Sequence, residues 1–435
     1  MMNKKYVIYG GKPLRGNVRI SGMKNSALPI LCATVLIGDS CVIDNLPYIR
    51  DIDVLLEILK VMGAEVEYLN DEHSRVRIDT KNVVPGSSPL KEVEKIRGSY
   101  YLMGAELGRF GSIHVGLPGG DKISTGSRPI DMHLKGFEAL GANCSMNGRY
   151  VNASTDDELT GNHIFFDMPS VGATANTMIA ATLAEGETVI NGAAKEPHIV
   201  DLATFLSAAG ANITGAGTSV IKIRGVKKLH SCEHTLIPDM IEAGTYMTIA
   251  AATMGDITVE RVIPKHLETV TQKLRQMGIP VEQPSDDSLR VIGDPNMRAV
   301  DIDTQPYPGF PTDMQSQFAV LLSVSHGSCL LRENIWKNRF HYYDALKNAG
   351  GNISLSNDTL FIVGVEKLNP SFMRCNDLRC GAAQTMIALL ANGRSEVSDI
   401  YWVERGYSRF VEKLSALGAD IHEEDDPESL GEIDA

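Results

Sequence analysis

The chain has 435 residues and is 43% hydrophobic, more than one core usually organises, so two domains are expected. Its net charge is −13, but residues 423–435 hold seven acids and no Lys or Arg, so the acidity is concentrated in a tail read as disordered and solvated. This balance argues against nucleic acid as a general partner. The start MMNKKYVIYGG lacks a signal core and the longest apolar run, 28–37, is too short for a bilayer, so a cytoplasmic protein without membrane insertion is expected.

In chain order, segment 6–20 reads as strand and precedes six similar units. Unit one opens with Ser21-Gly22-Met23-Lys24-Asn25, runs through an apolar helix at 27–37 to Gly38, and ends its second helix at Gly63. Unit two opens with Lys95-Ile96-Arg97-Gly98, with a helix at 100–107 closed by Gly111. A glycine-rich loop follows, LPGGDKISTGSRPIDMH at 117–133, and carries Asp121, Arg128 and Asp131 toward a second helix that ends at Gly141. Unit three has Ser170-Val171-Gly172-Ala173-Thr174, a helix at 174–184, and Glu196, His198 and Asp201 before Gly210. The stretch KKLHSCEHTLIP at 227–238 then divides the chain near its middle.

Unit four opens at Pro238-Asp239 with Glu242, unit five at Pro311-Thr312-Asp313, and unit six at Asp377-Leu378-Arg379. Their apolar helices are expected at 246–254, 318–324 and 382–391, and unit six continues to Glu404-Arg405-Gly406-Tyr407. Two sets of glycines, one closing each first helix and one closing each second helix, recur every 66–78 residues. They imply six copies of one helix–strand–helix–strand unit, with glycine as the expected helix stop.

Helices apolar on every side belong inside a structure. The expected fold is therefore α/β, with two inside-out domains of three units each, buried helices and outer sheets. A six-unit solenoid is the competing layout, although solenoid repeats are usually about 20–45 residues with polar caps. The expected domains are 1–22 with 237–422 (C-terminal), 23–236 (N-terminal, carrying the mobile loop), and the tail at 423–435. Two chain crossings make a hinge, and a cleft at a hinge is where ligands usually sit.

Lys24, Arg97 and Arg379 stand at the starts of buried helices, where a cation opposes the helix dipole and so points to anionic ligands. Arg128, just before Pro129 at a helix start, and Arg405 extend the set. With the carboxylates of Asp239 and Asp313 they suit a substrate with several negative charges and a hydroxyl that needs a base. The blander readings are a solvated loop arginine and capping boxes formed by Asp239 with Glu242 and by Thr312 with Gln315. The seven cysteines (32, 41, 144, 232, 329, 375 and 380) are scattered without metal-ligand spacing, and read as reduced packing residues.

SGMKNSALPIL, LPGG with SRPIDMH, SVGATANTMIAATLAEG, FPTDMQSQF and ERGYSRF, in this order, resemble the enolpyruvyl transferases, and among them the UDP-N-acetylglucosamine 1-carboxyvinyltransferase family, over residues 6–421. The resemblance implies transfer of the enolpyruvyl group of phosphoenolpyruvate to the 3′-hydroxyl of UDP-N-acetylglucosamine, the first committed step of peptidoglycan precursor synthesis, with no metal or organic cofactor. It implies that Lys24, Arg128 and Arg405 hold phosphoenolpyruvate, with Arg97 in the same cleft. Asn25 and Asp313 would meet the sugar, Asp313 as the base. Arg128, Pro129, Ile130, Asp131, Met132, Ser170, Val171, Gly172 and Ile335 would contact the uridine diphosphate part.

The chain departs from the family pattern in four places. Asp121 replaces the usual active-site cysteine as the expected proton donor, and the loop to Arg128 is two residues longer. Met168 stands where lysine is common, and His198 where glutamate is common.

Overall fold

The computed structural model describes residues 4–117 and 130–427, so Asp121, Arg128, Pro129 and the chain beyond 427 lie outside the described residues. The described chain forms two compact units, 4–21 with 238–427 and 22–117 with 130–237.

Three buried helices organise the unit at 22–237: Lys24–Ile37, Tyr101–Phe110 and Val171–Ala181. Met240–Ala252, Gln315–Ser323 and Leu378–Leu390 do the same in the other. Met240–Ala252 and Gln315–Ser323 are buried at every residue, which is why their sequences carry no polar stripe. Close packing needs small residues. A Cβ on Gly104 would lie 2.5 Å from the Asn176 carbonyl oxygen, and the Gly104 N–H instead donates to the Asn176 side chain at 2.8 Å.

Five of these helices start before their apolar stretches, at 24, 171, 240, 315 and 378 rather than 27, 174, 246, 318 and 382. Polar first turns hide the starts. Ser170, Asp239 and Asp377 are the capping residues of their helices and accept N–H bonds from the first turn.

Among the described residues six sheets enclose the helices, three in each unit. Five repeat one pattern of strand directions. Glu233–Thr235 runs parallel to Ser40–Asp44, which pairs antiparallel with Arg75–Asp79, which in turn pairs antiparallel with Glu65–Tyr68. The sixth has three antiparallel strands among the described residues: Ser112–Gly116, Tyr150–Ser154 and Asn143–Asn147. Cys41 and Ile43 are buried while Val42 between them is only partly so, the alternation expected of a sheet with one face on the core.

Segment 6–20 is two strands rather than one, Lys4–Tyr9 and Arg15–Arg19, in different sheets of one unit. The expected tail also begins later than 423. Asp420–Asp425 is a strand paired along Lys4–Tyr9, with Lys4 Nζ 2.9 Å from Glu423, and Asp426 accepts a hydrogen bond from Ser398. A basic strand from the far end of the chain pairs with these acids, and composition alone does not reveal it.

Candidate active site

Lys24 begins its helix, the position where a cation opposes the dipole. Asp51 offsets this, with its carboxylate 2.6 Å from Lys24 Nζ and both side chains buried. Asp51 lies in the first turn of the helix Arg50–Val61, where the same dipole favours an acid. Asn25, the next residue, is the one position of the Lys24 helix that is not fully buried.

Arg97 opens the short 3-10 helix Arg97–Tyr100, which leans on the Lys24 helix. A Cβ on Gly98 would come within 2.8 Å of Leu28, so glycine is required for that approach. The Arg97 guanidinium lies 5.7 Å from the centroid of the Tyr100 ring. Burial, reinforced by the Arg97 charge, pushes the His133 imidazole down to about 3, so the ring is neutral. The Asn176 side-chain amide donates to His133 Nδ1 at 2.9 Å, and a Cβ on Gly172 would lie 2.7 Å from the ring. His133 thereby joins the Ile130-Asp131-Met132 turn to the Ser170-Val171-Gly172 helix start, two segments expected to share one ligand.

The other unit gathers Asp313, Arg339, Arg379 and Tyr407. Asp313 Oδ1 lies 2.7 Å from Arg339 and Oδ2 lies 2.8 Å from Arg379. Burial alone would raise the Asp313 carboxyl, but the two guanidinium groups outweigh it and hold the group well below the usual carboxylate range. Arg379 also donates to the Tyr407 hydroxyl at 3.4 Å, and Asp377 caps its helix through the Arg379 and Cys380 N–H groups. Ile335 joins this cluster at a distance. Its N–H donates to Glu333, Glu333 accepts from the Thr312 hydroxyl, and Arg339 donates to that hydroxyl.

Three expectations are corrected. Thr312 does not cap its helix, because its hydroxyl is engaged by Glu333 and Arg339. Asp239 is a cap, accepting from Ile241 and Glu242 N–H, but Glu242 turns away to Lys413 and the Ser21 N–H, so the reciprocal half of the capping box is missing. Arg405 does not start a helix: it ends the short helix Tyr401–Glu404, buried, with its guanidinium 5.0 Å from the Trp402 ring.

Sequence reasoning missed Asp51 and Arg339. Asp51 lies in the first turn of its unit's second helix and Arg339 just before the helix Tyr343–Asn348, much as Arg128 precedes its helix, so the repeat contained the signal. Tyr407 lay inside a quoted motif without a role. Asp121 and Arg128 are outside the described residues, and no group of three or more His, Cys, Asp or Glu among the described residues is arranged to hold a metal ion.

Residues 8–414 match the family of EPSP synthase (3-phosphoshikimate 1-carboxyvinyltransferase). The chain belongs to the EPSP synthase family. It is 50% identical over 418 residues to UDP-N-acetylglucosamine 1-carboxyvinyltransferase 3 of Caldanaerobacter subterraneus subsp. tengcongensis, covering 96% of this chain and 99% of that protein. It is 47% identical over 418 residues to UDP-N-acetylglucosamine 1-carboxyvinyltransferase of Clostridium botulinum, covering 96% of this chain and 99% of that protein. Among solved structures, the enolpyruvyl transferase NikO from Streptomyces tendae matches with a TM-score of 0.88 at 25% identity, covering 98% of this chain and all of the other. An EPSP synthase from Acinetobacter baumannii matches with a TM-score of 0.74 at 18% identity, covering 97% and 100%, a likeness of fold alone. The architecture of three units around buried helices in each half is thus the enolpyruvyl transferase fold.

Proposed function

We propose that this member of the family transfers the enolpyruvyl group of phosphoenolpyruvate to the 3′-hydroxyl of UDP-N-acetylglucosamine and releases phosphate, in the cytoplasm, as the first committed step of peptidoglycan precursor synthesis. Two relatives at 47–50% identity over nearly their whole length bear the name of this activity. The observation that carries the reading is the pair of buried guanidinium groups, Arg339 and Arg379, that hold Asp313 ionised.

In this reading Lys24, Arg128 and Arg405 hold the phosphate and carboxylate of phosphoenolpyruvate, Arg97 and Arg379 add positive field, and Asn25 and Asp313 meet the sugar. Arg128 to Met132, Ser170 to Gly172 and Ile335 take the uridine diphosphate part. Asp121 protonates the methylene carbon, the 3′-oxygen bonds to the adjacent carbon, and Asp313 accepts the hydroxyl proton. Loss of a methyl proton and cleavage of the carbon–oxygen bond to phosphate then complete the transfer. A carboxylate between two arginines is a weak base, but a weak base suffices here, because a hydroxyl becomes strongly acidic once its oxygen starts to bond to carbon. Asp121 has the opposite requirement: its pKa must be raised for it to carry a proton at neutral pH.

The match to an EPSP synthase family favours one second reading, an enolpyruvyl transferase whose acceptor is shikimate 3-phosphate or another nucleotide. Phosphate release from phosphoenolpyruvate tests both. Release dependent on UDP-N-acetylglucosamine supports the proposal, and release only with shikimate 3-phosphate or another nucleotide supports the second reading. Binding of UDP-N-acetylglucosamine without release overturns both in favour of a non-catalytic nucleotide-sugar binder.

A further inference from the structure

The strand Glu233–Thr235 is short, lies at a sheet edge, and comes just before the chain leaves its unit at Ile237. Glu233 stands opposite Val42, and the Val42 N–H donates to the Cys232 carbonyl at 3.0 Å. One residue back in the same register, Cys232 stands opposite Cys41. Directly opposed residues of a parallel pair point to the same face, and neighbouring strands lie about 4.8 Å apart. That spacing falls inside the Cα window of a disulfide, roughly 4.4–6.8 Å. Neither cysteine is in a disulfide. Their access differs. Cys41 is fully buried, whereas Cys232 at the edge is only partly covered.

We propose that Cys41 and Cys232 form an oxidisable pair that hydrogen peroxide closes into a disulfide, stapling the edge strand to its neighbour. Cys232, the reachable sulfur, attacks a peroxide oxygen and becomes a sulfenic acid with release of water. The Cys41 sulfur then displaces the hydroxyl, which leaves as a second water. Two thiols and one peroxide thus give one disulfide and two waters. The neighbouring Cys41 also lowers the Cys232 thiol, which favours attack from that side.

The staple has a route to the candidate site. The same edge strand carries His234, whose Nε2 lies 2.9 Å from Asp201, and Asp201 also accepts the Ile237 N–H at 3.3 Å. Asp201 further accepts the hydroxyl of Ser26, two residues after Lys24. Oxidation therefore fixes a strand whose polar contacts reach the turn that bears Lys24 and Asn25. Cys375 and Cys380 are also near neighbours, but both are fully buried, so an oxidant in solvent reaches neither first.

The test treats the intact protein with hydrogen peroxide, blocks remaining thiols, and maps peptides without reduction. The expected result is an intramolecular Cys41–Cys232 link, loss of two reactive thiols per chain, reversal by dithiothreitol, and no such link in Cys232→Ala. Hydrogen exchange over 233–237 should slow at least several-fold in the linked form. A sulfinic acid at Cys232 without a link, a Cys232-linked dimer, a Cys375–Cys380 link instead, or no change at peroxide levels that oxidise free cysteine would overturn the proposal. Cys232 is the residue to replace because it is only partly covered, so its removal spares the core.

Discussion

Arg339 grips Asp313 Oδ1 at 2.7 Å and leaves Oδ2 to Arg379, so the expected base carries two counter-charges. Arg339→Met removes one of them. The Asp313 carboxyl, now held low, should rise toward the ordinary carboxylate range, and an acidic limb should appear higher in the pH–rate profile than in the parent. Asp313 is favoured ionised in the fold, so the pair stabilises above about pH 4 and the benefit is lost as pH falls through the lowered value. Asp313 is a quarter exposed, so the cost of the variant at neutral pH should stay below about 3 kcal/mol. An unchanged profile in a folded Arg339→Met would show that Arg339 does not tune Asp313.

The Lys24–Asp51 pair separates binding from folding. Lys24→Met should lower kcat/KM for phosphoenolpyruvate by about 10²–10³, the scale of losing one group that stabilises developing charge, while calorimetry still shows UDP-sugar binding. Asp51→Asn leaves a buried lysine short of a counter-charge and should cost up to about 3 kcal/mol. The double variant should recover stability, since neither charge then remains buried, but not turnover. Recovery of both would make Lys24 a structural residue.

The six-unit repeat and the buried helices were legible because each leaves a local trace, glycine stops and apolar runs among them. The cross-chain partners were not. Asp51 meets Lys24, Arg339 meets Asp313, and Glu423 meets Lys4 across long sequence separations, and no periodicity encodes such encounters. Thr312 and Glu242 show the converse error. Capping-box spacing was present at both, yet in each case a tertiary partner claimed the side chain.

Asp121 makes a chemical prediction that needs no geometry. A carboxylate is a far weaker nucleophile than a thiolate, so the epoxide fosfomycin should leave the protein unmodified, whereas Asp121→Cys should become covalently labelled. Asp121→Asn should lose most turnover and retain UDP-sugar binding. Mass spectrometry after fosfomycin treatment decides the first part: stoichiometric addition at Asp121 would contradict it. A near-native rate in Asp121→Asn would make Asp121 a bystander.

Glu106 is the clearest stability test, because it titrates inside the core. It lies in the buried helix Tyr101–Phe110, fully inaccessible; Oε2 accepts the Gly86 N–H at 3.0 Å, and Oε1 has no hydrogen-bond partner among the described residues. Burial pushes the carboxyl up to about 7. Between the ordinary glutamate value and about 7 the folded chain keeps a proton that the unfolded chain has lost. Stability therefore falls as pH rises through that window and levels off above it, by at most about 3 kcal/mol from this group. Glu106→Gln keeps the shape without the charge. Its melting temperature should exceed that of the parent at pH 8, and the difference should shrink toward zero near pH 4. Equal differences at both pH values would show that the substitution acts through packing and that Glu106 carries no charge in the fold.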